Sequence, residues 1–257
     1  MSNPLVEYLL FFRDLGIKTI YLTEETRKKV APIYSSTPKK SSQDQRQDQR
    51  ERPLSKMQAK STVLTNPLQI LQKIETELAG CERCSLHQGR NKIVFGSGNP
   101  NAKIVFVGEG PGADEDNQGL PFVGRAGQLL TQMINKTAQR EGINISRDDV
   151  YICNVVKCRP PNNRNPELEE MNTCGPFLER QLEAVQPKAI CLLGGTATKF
   201  ILQTDIGITK LRGKWKKWRG IPVMPTYHPS FLLRPYAQDR KRETWLDLRT
   251  LLHFVFD

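Results

Sequence analysis

Four short β-rich runs, KIVFVG (103–108), VYICNVV (150–156), AICLLGG (189–195) and VMPTYHP (223–229), alternate with stretches of helical periodicity near 125–140, 167–185 and 195–203. Strands and helices alternating at this spacing predict an α/β fold with a parallel sheet covered on both faces. In such sheets ligands bind at the carboxyl ends of the strands. The loops after Val107, Val156 and Tyr227 are therefore expected to converge on one edge, carrying their polar residues with them.

The first of these loops limits the ligand. Residues 103–127, KIVFVGEGPGADEDNQGLPFVGRAG, place six glycines and a run of acids directly after a strand. A glycine-rich turn in that position usually cradles a phosphate on backbone amides. Here Glu109, Asp114, Glu115 and Asp116 would repel one, and neither a P-loop lysine nor the GxGxxG order of a dinucleotide fold is present. The loop suits a neutral, planar, polar group held close to the backbone, with carboxylates available for water chemistry. Asp114 and Asp116 read as a solvated acidic turn.

The formal charge of +11 is spread along the chain, which fits a polyanionic partner. No apolar run approaches the ~20 residues of a membrane span. The N-terminus lacks the basic flank and small-residue cleavage site of a signal peptide, so a cytoplasmic, nucleoid-associated protein without membrane contact is expected. Residues 1–34 read as an N-terminal helical extension, with apolar residues at helical spacing up to Gly16, and 35–62 as a disordered low-complexity linker containing QDQRQDQR. Residues 63–257 form the main domain, opened by a helix from Asn66-Pro67 toward Cys81.

Cys81 and Cys84 form a CxxC at that helix end, and Cys158 (KCRPP) and Cys174 (NTCGP) follow later. In a reducing compartment four such thiols suggest a metal site, and spacing alone leaves zinc and a [4Fe-4S] cluster both open. Cys153 and Cys191, inside apolar strands, read as small core residues.

Taken together, GEGPGADEDNQGLPFVGRAG, YICNVVKCRPPNNRNP, MPTYHPSFLLR and the four cysteines resemble the family 4, iron-sulfur uracil-DNA glycosylases over about residues 75–255. The resemblance implies a three-layer α/β/α sandwich with a mostly parallel central sheet, and a [4Fe-4S] cluster on Cys81, Cys84, Cys158 and Cys174. It also implies a monofunctional DNA glycosylase of base excision repair. Such an enzyme acts as a monomer on uracil in single- or double-stranded DNA, and the N-terminal arm is free to meet a replication or repair partner. One similar branch bonds covalently to DNA through a histidine in a KRRIH insertion. This chain has PPNNRNP there, so ordinary turnover is expected.

The same resemblance assigns roles in the site. Phe122, in the LPFVG turn, matches the aromatic on which the extruded base stacks, and His228 matches the histidine that donates to uracil O2. Asn154 ends a strand, and its amide can both donate and accept along the uracil edge, a pattern cytosine reverses. Better-studied relatives carry an aspartate where Gly110 stands, so Glu109 is the first candidate to position water and Glu115 the second. Those relatives block the thymine methyl with a tyrosine at the position of Gly112. Glu115 or its neighbours are expected to fill that space.

For DNA contact, SFLLR offers Ser230, an apolar wedge at Leu232 or Leu233, and Arg234, and Arg125 can reach a phosphate. GKWKKWRG (213–220) reads as a hairpin, either touching nucleic acid through its tryptophans or closing a sheet edge with solvated lysines. Two other classes stay open: a non-catalytic iron-sulfur or zinc DNA-binding module, and a nucleotide-binding α/β enzyme, the weaker because the acidic loop offers no phosphate partner.

Overall fold

The computed structural model describes residues 66–257. The expected extension (1–34), linker (35–62) and first residues of the main domain lie outside the described residues. Helix α1 (Pro67–Leu78) starts where the sequence predicts: the Asn66 side chain accepts the Leu68 amide at 3.0 Å, and Pro67 takes the first helical position, where no amide is needed.

The strands are β1 (Ser97–Gly98), β2 (Ile104–Gly108), β3 (Tyr151–Asn154), β4 (Ala189–Leu193), β5 (Lys216–Trp218) and β6 (Ile221–Thr226). They form one sheet in the order β1-β3-β2-β4-β6-β5. The four central strands run parallel, and β1 and β5 close the edges antiparallel. Every residue of β2, β3 and β4 is buried, which is why these strands read as continuous apolar runs and not as an alternating pattern.

The remaining helices are α2 (Ala113–Gln118), α3 (Arg125–Arg140), α4 (Leu168–Val185), α5 (Gly195–Leu202), α6 (Ile208–Leu211), α7 (Pro229–Leu232) and α8 (Gln238–Phe256). Successive strand residues point to opposite faces. Ile104, Phe106, Cys191 and Met224 pack with Leu130 and Met133 of α3 and Trp245 and Leu252 of α8. Val105, Val107, Cys153 and Ile190 pack with Ile74 of α1, Phe177 and Leu178 of α4 and Ile201 of α5. The result is the expected three-layer sandwich, with Cys153 and Cys191 fully buried as core residues.

Three local expectations change. The acidic segment is helix α2, and Asp116 is buried, not solvated: its carboxylate accepts the Asn91 amide and side chain, each at 2.9 Å, and so pins the segment leading into β1. Asp114 stays exposed. Strand β6 stops at Thr226, because the YHP segment turns into the one-turn helix α7. The GKWKKWRG segment is an edge hairpin whose two turn residues, Arg219 (φ 46°) and Gly220 (φ 86°), are both left-handed, as a tight two-residue hairpin requires. Trp218 is buried under the Arg219 guanidinium, and Trp215 packs on Phe254 with ring centroids 4.4 Å apart. Buried Trp218 has no face free for a base, Trp215 is half-buried, and Lys216 and Lys217 stand exposed on the edge.

Candidate active site

At the carboxyl ends of β2, β3, β4 and β6 a cavity of about 400 Å³ opens. Its walls include Glu109, Gly110, Gly112, Glu115, Phe122, Asn154, His228, Ser230 and Arg234. The three loop tips therefore meet, as the alternation of strands and helices predicts. Backbone bonds lock two of them together: the Val155 amide donates to Gly108 O at 3.0 Å and the Val156 amide to Glu109 O at 3.1 Å.

Asn154, the last residue of β3, is buried, and its side-chain oxygen has no hydrogen-bond partner. A buried polar atom left unpaired costs about 1–3 kcal/mol, so this one is built for a donor that comes from outside the chain. Beneath it, the wholly buried Lys157 donates its ammonium to Asn154 O at 2.8 Å and to Gln181 Oε1 at 2.5 Å. Gln181 in turn donates to Phe95 O and Tyr151 OH, each at 3.0 Å, so the strand end rests on a closed polar network.

Phe122 stands opposite. Its φ of 55° is left-handed, a conformation that costs a non-glycine residue about 1–3 kcal/mol and persists only where its surroundings impose it. Glu115 supplies part of that constraint: its carboxylate accepts the amides of Val123 and Gly124 at 2.9 Å and of Gly112 at 3.1 Å. Arg147 supplies more, donating to Pro121 O at 2.6 Å. Gly108 permits the approach of the two site residues, because a Cβ there would fall 2.4 Å from Asn154 Oδ1 and 2.6 Å from Phe122 Cζ.

His228 caps α7. Its Nδ1 accepts the Ser230 amide at 3.2 Å and lies 2.7 Å from Ser230 Oγ. Because Nδ1 is the acceptor, the neutral ring carries its proton on Nε2. Burial depresses the ring's pKa to about 4, with the nearby Glu115 charge opposing, so the imidazole is neutral at physiological pH. Behind it, Gly194 (φ +91°) lets the β4–α5 turn press close: a Cβ at Gly194 would sit 2.9 Å from that of His228.

Some expectations for the site are corrected. Leu232 is fully buried in the core below α7 and cannot act as a wedge; a one-turn helix turns one of two adjacent leucines inward, and Leu233 is the exposed one. With three amides on its carboxylate, Glu115 is a loop clamp and not a free base. Arg125 is exposed at the start of α3, beside the cavity-lining Ala126. Arg164, Asn163 and the Gly194-Gly195 pair also line the cavity, and Thr196 donates to the Glu109 carboxylate. Sequence reasoning passed over these residues, although the paired glycines after AICLL mark a strand end of the same kind as the loops it did single out.

Cys81, Cys84, Cys158 and Cys174 wall one small cavity between the end of α1 and the start of α4, and none is in a disulfide. Arg90 donates to Cys158 Sγ at 3.4 Å and the Lys157 amide to Cys174 Sγ at 3.3 Å. Burial raises the Cys174 thiol to about 11 and pushes Cys158 up as well, so thiolates there call for cationic partners. Among the described residues no three His, Cys, Asp or Glu side chains stand close enough together to hold a metal ion as placed.

Buried strand ends, an open cavity and a neutral imidazole define the ligand site of an α/β protein, suited to a flat, uncharged polar group. Comparison with known proteins gives that class its family. Residues 95–249 match the uracil DNA glycosylase superfamily, and the chain belongs to it. A type-4 uracil-DNA glycosylase of Thermotoga maritima is 44% identical over 189 residues, 73% of this chain and 95% of the relative. Type-4 uracil-DNA glycosylases of Sulfurisphaera tokodaii (50% identical, 63% of this chain, 76% of the relative) and Archaeoglobus fulgidus (44%, 67% and 88%) are also similar.

Proposed function

We propose that this chain is a monofunctional uracil-DNA glycosylase that extrudes uracil from DNA and hydrolyses its N-glycosidic bond. The observation that carries the reading is the buried, unpartnered Asn154 Oδ1 at a cavity shared with Phe122 and His228. Uracil presents an N3–H donor beside the O4 acceptor, which an asparagine amide pairs. Cytosine presents the reverse order and would leave two buried groups unpaired.

Extrusion costs least for a weakly paired or single-stranded base. The freed uracil stacks on Phe122. As the C1′–N1 bond breaks, its electron pair moves onto the uracil ring, where Nε2–H of His228 donates to O2. That neutral, prepositioned donor stabilises charge that exists only in the transition state. Glu109 holds the water whose oxygen bonds to C1′, and takes its proton. Glu115 holds the Phe122 turn and fills the space beside Gly112, its carboxylate oxygen lying 2.8 Å from where a Cβ would stand. Gly110 lets the base lie against the backbone. Ser230, beyond orienting His228, joins Arg125 and Arg234 in facing the phosphates, and Leu233 fills the vacated stack.

We read the four cysteines as ligands of a [4Fe-4S] cluster, on the cavity they share and on the chain's similarity to type-4 uracil-DNA glycosylases. The cluster would supply a covalent pin between the CxxC segment and the start of α4, and no chemistry at the base. Among the described residues no helix is long and apolar enough to cross a membrane. We assign residues 63–257 to the catalytic domain of a monomer acting in the cytoplasm on nucleoid DNA. Residues 1–62 remain available for a repair or replication partner.

An alkali-cleavage assay on uracil-containing oligonucleotides tests the reading, because only a glycosylase leaves an abasic site. Binding without cleavage would instead identify a DNA-binding module. Iron and acid-labile sulfide in anaerobically purified protein test the cluster, and zinc in their place would overturn it.

A further inference from the structure

We propose that Thr196 is a positioning residue for the reaction, holding the Glu109 carboxylate in the one orientation that serves the attacking water. The proposal rests on the reading of Glu109 as the water-holding group.

Glu109 follows the last residue of β2, and Thr196 is the second residue of α5, just beyond the Gly194-Gly195 turn that ends β4. β2 and β4 are adjacent parallel strands, with Val107 opposite Leu192, so these two segments leave the sheet side by side. Thr196 Oγ1 donates to Glu109 Oε2. A glutamate on a glycine-rich loop has several rotatable bonds and, unrestrained, would spread over many orientations, only one of which aims at C1′. The hydroxyl occupies one carboxylate oxygen and leaves Oε1 to accept from water.

The anchor is suited to the task. Threonine is stiff about χ1, and Thr196 sits in the first turn of a helix whose following residue, Ala197, is fully buried. Its near neighbour Thr198 has a different role: that hydroxyl donates at 2.7 Å to Gly194 O and fixes the turn itself. One threonine therefore sets the turn while the other reaches across to the neighbouring loop. Glu109 opposes the forming sugar cation and takes the proton as the water oxygen bonds to C1′ and the C1′–N1 pair leaves with uracil. Misdirecting it by a rotamer slows the bond-breaking step without loosening DNA.

The test is single-turnover excision of uracil by the full chain, with Thr196→Val, Thr196→Ser and Glu109→Gln compared singly and in combination. Thr196→Val keeps shape and removes the donor. We expect its maximal rate to fall roughly 10- to 100-fold, the loss of one hydrogen bond to a charged group, at unchanged affinity for uracil-containing DNA. Thr196→Ser should recover most of the rate, and Thr196→Val should add little in the Glu109→Gln background, because the two residues act as a unit. A Glu109→Gln enzyme with full rate would overturn the role of Glu109 and this proposal with it. A slow Glu109→Gln enzyme beside an unimpaired Thr196→Val, or equal losses for the Val and Ser variants, would overturn the proposal alone.

Discussion

The rings of Phe122 and His228, which both line the cavity, adjoin with centroids 5.6 Å apart and planes inclined by 37°. One carries a strained backbone and the other a depressed pKa, and neither departure from ordinary behaviour contributes to stability. Both conditions are what a fixed stacking face and a neutral donor require. Replacing His228 by alanine is expected to lower the single-turnover rate by about 10²–10³, the typical loss for one transition-state donor. An unchanged rate on uracil-containing DNA would remove His228 from the site.

The depressed pKa of His228 sets a pH signature with a definite sign. Between pH 6.5 and about 4 an unfolded chain binds a proton on this ring that the folded chain excludes, so stability falls as pH drops through that window. The rate should stay flat down to about pH 5 and decline near 4, where protonating Nδ1 removes the acceptor for the Ser230 amide. Melting temperatures across this range should fall less steeply for His228→Asn than for the unmodified protein. Parallel slopes would mean that the ring titrates normally.

Gly108 offers a test of convergence that touches no reacting group. Alanine there would place its Cβ against both Asn154 and Phe122, the far end of the phenylalanine ring being the more able to move. We expect excision to drop by at least about tenfold with a melting temperature within a few degrees of the original, since overpacking at a site open to a cavity relaxes more cheaply than in a closed core. A Gly108→Ala protein with full activity would show that the two side chains need not keep these places.

Glu115→Ala removes the acceptor for three loop amides. The expected result is a loss of about 1–3 kcal/mol of stability in denaturant titrations, together with weaker uracil excision, because the Phe122 turn loses a clamp. It also empties the space beside Gly112, and excision of thymine from mispairs should become measurable. If thymine stays inert while uracil activity persists, something other than Glu115 excludes the methyl group.

The sandwich was legible because strands buried on both faces are written as unbroken apolar runs, and α3, α4 and α5 as amphipathic stretches between them. Phe122 and His228 were singled out by the family resemblance, and Asn154 by its place at the end of the apolar YIC run; the structure brings all three to one cavity. What stayed hidden depends on strand order or on folding back. Thr196 meets Glu109 only because β4 lies beside β2, which periodicity does not encode. The clamp on Glu115 and the burial of Asp116 arise because a short acidic helix turns its polar groups toward neighbouring backbone, whereas a run of acids in sequence reads as solvated.

The adjacent leucines of α7 separate folding from DNA engagement. Leu232 is fully buried against the core, and Leu232→Ala should cost about 2–5 kcal/mol of stability, as truncation of a core leucine does. Leu233 is 45% exposed beside Arg234 and Tyr236, so Leu233→Ala should leave stability within about 0.5 kcal/mol. Its effect should appear only where a base must be replaced in a stack: excision from duplex DNA slows, most for uracil opposite adenine, while excision from single strands is nearly unchanged. Equal losses on both substrates would assign Leu233 to general DNA contact. The ratio of duplex to single-strand rates isolates the wedge from every other contribution of the loop, because Arg234 and Ser230 remain in place for both.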